Sequence, residues 1–108
     1  MADLVKNLIG GQWVEAKSGG TFETHNPATQ ELIAPVTKSA ADDVDAAVQV
    51  AKSAYKDWRL MPAPRRGEIL YDVARLLEER KEDLATLMTQ EMGKILDETR
   101  GDVQEAID

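Results

Sequence analysis

The sequence predicts an α+β chain, with short antiparallel strands over 1–38 followed by three or four amphipathic helices over 39–108. Three observations carry this. Glycine-rich turns separate short apolar runs in the first third, the apolar period becomes helical at Ser39, and proline and glycine then divide the helical part.

Leu8-Ile9 and Trp13-Val14 flank Gly10-Gly11-Gln12, a turn of hairpin type. Ser18-Gly19-Gly20 supplies a second turn before the extended run Thr21-Phe22-Glu23-Thr24. Asn26-Pro27-Ala28-Thr29 breaks that run, and Glu31-Leu32-Ile33-Ala34-Pro35-Val36 resumes it. Pro35 has no N–H to donate to a ladder, so it belongs at an edge or a strand end. Strands this few are too thin to stand alone.

Ser39 is expected to cap the first helix, with Asp42 in the capping-box position. Val44, Ala47, Val48, Ala51, Tyr55 and Trp58 fall on one stripe, and the helix should end near Trp58, before Pro62-Ala63-Pro64. Pro64 suits the first turn of the next helix, where its missing N–H costs nothing; Ile69, Leu70, Val73, Leu76 and Leu77 line that helix. Leu84, Leu87 and Met88 form a third apolar set, either a separate helix after a bend near Arg80–Lys81 or a continuation. Glu91-Met92-Gly93-Lys94 reads as a helix end, with Gly93 left-handed and Lys94 near the negative end of the dipole. Leu96, Val103, Ala106 and Ile107 then start a further helix that reaches Asp108 with no Gly, Asn or Pro to end it. The chain is therefore expected to be cut rather than finished.

Composition narrows the function classes. With 20 acidic against 13 basic residues the net charge is −7, which argues against nucleic acid or an anionic membrane as partner, since both demand a basic face. Cysteine is absent from these residues, so they hold no disulfide, thiolate zinc site or cysteine nucleophile. No apolar run has the length of a membrane span or a signal-peptide core, and a cytoplasmic location is the expectation. Aromatics make up only 5% of the chain, so a core of Ala, Val and Leu gains little area per residue and stability should be modest.

Single residues that invite a chemical role have plainer readings. His25, the one histidine, stands beside an Asn-Pro turn and lacks an evident partner for general-base work. Trp13 and Trp58 lie on the apolar phase of their elements, as core or interface anchors rather than a ligand platform. Arg65-Arg66 reads as a solvated pair near a helix start rather than a phosphate grip. Lys94 reads as a helix-end charge, because nothing in its surroundings implies the burial or neighbouring cation that would depress an amine's pKa.

Taken in order, these segments resemble the N-terminal portion of the aldehyde dehydrogenase superfamily. The resemblance rests on Ile9-Gly10-Gly11-Gln12-Trp13-Val14, on Phe22-Glu23-Thr24-His25-Asn26-Pro27-Ala28-Thr29, and on Ser39 to Val48 with Trp58-Arg59. It continues through Ala63-Pro64-Arg65-Arg66, Leu76-Leu77-Glu78-Glu79-Arg80 and Glu91-Met92-Gly93-Lys94. Glu91 to Ile95 with Gly101-Asp102-Val103-Gln104-Glu105 is most similar to the antiquitin-like branch, whose substrates are semialdehydes.

The resemblance implies an α/β parent fold that oxidises an aldehyde with NAD or NADP, and a homo-oligomer. A cysteine attacks the aldehyde, hydride passes to the nicotinamide, and a glutamate activates water, a division of labour that suits a thiolate. Those groups and the cofactor turn lie later in the family's sequence, so none is carried onto these residues. The resemblance further implies a structural monovalent cation held by backbone oxygens at Thr24 and His25 and by Glu91, where many members carry the shorter Asp. Residues 1–38 would serve oligomerisation and the edge of the cofactor domain, and 39–108 would be that domain's truncated helical part. The competing reading is an independent, non-catalytic helical binding or oligomerisation module; an enzyme complete in these residues ranks last for want of a catalytic constellation.

Overall fold

The computed structural model describes residues 2–108. The expected order holds: β1 (Asn7–Ile9), β2 (Gln12–Val14), β3 (Thr21–His25) and β4 (Leu32–Thr37) precede α1 (Ala41–Trp58), α2 (Ala63–Glu79), α3 (Lys81–Met92) and α4 (Leu96–Ile107). Strand gives way to helix between Thr37 and Ala41, close to the expected change of period at Ser39. The chain forms two compact units: residues up to His25 with Leu32–Leu60, and Asn26–Glu31 with Met61–Asp108.

In the first unit, β1 and β2 pair antiparallel in the register Asn7↔Val14, Leu8↔Trp13, Ile9↔Gln12. Gly10 and Gly11 both take positive φ, +62° and +78°. That pair of angles is what a two-residue hairpin of matching twist requires, and glycine supplies it without a Cβ clash. β3 and β4 form a second antiparallel pair, with a bulge at Thr24/His25. Val5 bridges the far edge of β4: its N–H donates to the Pro35 carbonyl at 2.9 Å, and Thr37 N–H donates to the Val5 carbonyl at 3.0 Å. The Pro35 nitrogen thus faces away from β3, so its missing N–H costs the β3–β4 ladder nothing.

The cap of α1 corrects the expectation by one residue. Ala40, not Ser39, is the N-cap, with extended backbone at φ −119° and ψ −177°. Ala40 has no side-chain acceptor, so only half a capping box forms: Asp43 Oδ2 accepts from Ala40 N–H at 2.9 Å. The physical reason for the shift is visible at the other carboxylate oxygen. Asp43 Oδ1 accepts from Lys17 N–H at 3.0 Å, so this residue ties the loop after β2 to the first turn of α1. Ser39 spends its hydroxyl elsewhere, accepting from the Asn7 side chain at 2.7 Å.

In the second unit, Pro62 caps α2 and Pro64 sits in its first turn, as expected. α2 and α3 are separate helices that break at Arg80, whose φ of −105° and ψ of 12° are not helical. α3 ends at Gly93, left-handed at φ +78° and ψ 8°. α4 packs along α3 and also touches α2. Its buried residues are Thr99 and Val103, and that of α3 is Ala85. The Asn26–Glu31 turn closes on itself: Asn26 Oδ1 accepts from Ala28 N–H at 2.9 Å, and Asn26 N–H donates to the Glu31 carbonyl at 2.9 Å.

The apolar stripes of α1 and α2 are largely exposed. Among the described residues the buried apolar side chains are Ala16, Ala34, Ala85 and Val103, all small. The stripe of α1 is open to solvent, with Val44 at 57% and Tyr55 at 61% exposure, and on α2 Leu70 stands at 66%. Trp13, at 66%, and Trp58, at 40%, are exposed and not core. Amphipathic helices form here because the period favours them, and much of the apolar face of each is left exposed.

Candidate functional site

The three residues singled out for a cation sit on ordinary secondary structure. Thr24 is half-buried in β3, opposite Ala34, and His25 ends the strand opposite Leu32. The His25 imidazole lies 3.3 Å from the Glu23 carboxylate, an exposed pairing across one face of the strand end. His25 thus closes β3, directly before the Asn26–Glu31 turn. Glu91 occupies the last turn of α3, exposed, two residues before Gly93. Thr24 and His25 belong to one unit and Glu91 to the other. Among the described residues no three His, Cys, Asp or Glu side chains converge as a metal-binding group.

Lys94 shows a geometry the sequence did not predict. Its Nζ is 2.6 Å from Asp102 Oδ2. That hydrogen bond, helped by the fields of Glu98 and Glu105, raises the amine above its ordinary 10.5. A nucleophilic or basic lysine needs the opposite shift, so Lys94 serves as a fixed cation joining the end of α3 to α4.

The same interface carries further polar pairs. The Thr89 and Thr99 hydroxyls lie 2.9 Å apart, and Thr99 Oγ1 also donates to the Leu96 carbonyl at 3.0 Å, which satisfies a fully buried hydroxyl. Lys81 Nζ donates to Gln104 Oε1 at 2.8 Å. Arg100 grips Glu82 through Nε at 3.0 Å and reaches Asp97 at 3.2 Å, and this holds the Glu82 carboxyl below its usual range. Sequence reasoning missed these pairs because Glu82 and Arg100 are 18 residues apart, beyond any helical spacing. Lys81 beside Glu82, facing the run Asp97 to Gln104, is the one hint the sequence contains.

Hollows in the second unit are open grooves without a catalytic constellation. One of about 440 Å3, lined chiefly by Leu77, Leu84, Leu87, Met88, Met92 and Val103, is apolar. Another of about 520 Å3 is framed by Tyr71, Glu68, Asp72, Arg75 and Ile107; Arg75 is paired there with Asp72. Arg65 is paired with Glu68 at 2.6 Å, and Arg66 donates to the Met61 carbonyl at 2.9 Å, so both arginines near the start of α2 serve local structure. Polar groups able to transfer a proton, attack a carbonyl and hold the resulting charge do not meet at any of these places.

With this geometry in view, comparison with known proteins is informative. The profile of the Aldehyde dehydrogenase family matches residues 13–108. Malonate-semialdehyde dehydrogenase 2 of Geobacillus kaustophilus is 49% identical over 104 residues, covering 96% of this chain and 22% of the relative. Among solved structures, an E. coli NADP-dependent enzyme superposes with a TM-score of 0.93 at 37% identity, covering 95% of this chain and 21% of that one. Betaine aldehyde dehydrogenase of Staphylococcus aureus, in complex with NAD+, gives a TM-score of 0.88 at 31% identity, covering 93% and 20%. The chain thus spans about a fifth of the length of the proteins it matches.

Proposed function

The chain belongs to the aldehyde dehydrogenase family, and on that premise we propose that it furnishes the N-terminal part of an NAD(P)-dependent enzyme oxidising a semialdehyde to a carboxylic acid. The observation that carries the reading is the family match together with the uncovered apolar faces of α1 and α2. The semialdehyde rests on the similarity to malonate-semialdehyde dehydrogenases, which agrees with the semialdehyde branch expected from the Glu91 and Gly101 motifs.

On this reading the catalytic cysteine and the cofactor site lie outside these residues. Residues 1–38 contribute to oligomerisation and the domain edge, and 39–108 to the helical layer of the cofactor domain, in a cytoplasmic homo-oligomer. Among the described residues no helix is long and apolar enough to cross a membrane. The family match over residues 13–108 does not favour the reading as an independent module.

The direct test supplies the purified chain with NAD or NADP and malonate semialdehyde and follows nicotinamide reduction. No turnover is expected with either cofactor. Turnover by these residues alone would overturn the assignment of the chemistry elsewhere. The structural monovalent cation at Thr24, His25 and Glu91 is a separate proposal. Rubidium soaked into crystals of the full enzyme should give an anomalous peak beside Glu91, and a map without one removes that proposal.

A further inference from the structure

No further inference is drawn: the strongest candidate, the apolar groove that α2, α3 and α4 form around Leu77, Leu84, Leu87, Met88 and Val103, is an unpartnered face, and nothing in the structure shows what covers it.

Discussion

Gly93 holds α3 closed at φ +78°, and a β-carbon built there would stand 3.2 Å from Pro27 Cγ in the Asn26–Glu31 turn. Gly93→Ala therefore meets a strained backbone and a proline ring together. It should lower unfolding stability by about 1–2 kcal/mol, the ordinary cost of a left-handed L-residue. Gly101 is the control: it lies inside α4 with nothing within 4 Å of its would-be Cβ. Gly101→Ala should stabilise by about 0.5–1 kcal/mol through helix propensity alone. Urea titration of both variants checks the pair, and equal effects would show that Gly93 is not held by its backbone angle. The left-handed role of Gly93 is legible in the sequence, because a glycine after a helical stripe has few other uses. The approach of Pro27 is not legible, since it depends on where a distant turn settles.

At the scale of elements, Asp43 joins the loop after β2 to α1. Backbone N–H groups of Ala40 and Lys17 hold its carboxyl below the ordinary 3.8, and Arg100 does the same for Glu82 below its 4.5. A depressed folded pKa means the unfolded chain takes up the proton first as pH falls. Their stabilisation is then fully present above those ordinary values and is lost as pH falls through the lower folded ones. Lys94 runs the other way: its contribution is present below 10.5 and is lost as pH rises through its higher folded value. Denaturation midpoints measured against pH should therefore fall at both ends, and Asp43→Asn should flatten the acid limb while leaving the alkaline limb unchanged. An acid limb identical to the parent's would remove Asp43 from this account.

Element boundaries were readable because turn chemistry and period are local. Gly10-Gly11, Pro64 and the change of period at Ser39 each act within a few residues. The cap at Ala40 was misplaced because Asp43 answers to Lys17, 26 residues away, and a local rule cannot see that partner. Likewise the apolar stripes of α1 and α2 announce helices but not what the helices bury. Periodicity records that a face wants cover, and says nothing of whether the cover lies in the same residues.

For the whole molecule, the central claim is that these residues act as one layer of a larger dehydrogenase. The uncovered faces of α1 and α2, the small buried core and the family match all bear on it. His25, Lys94 and the arginine pair near the start of α2 are held by Glu23, Asp102, Glu68 and the Met61 carbonyl. The most direct measurement is the activity of a chimera in which this chain replaces the matching first fifth of the Geobacillus kaustophilus enzyme, with which it shares 49% identity over 104 residues. The account predicts a soluble chimera that reduces nicotinamide with malonate semialdehyde at a kcat/KM within about tenfold of that relative, a loss below about 1.4 kcal/mol in transition-state stabilisation. A chimera that fails to fold, or folds without activity, would contradict it.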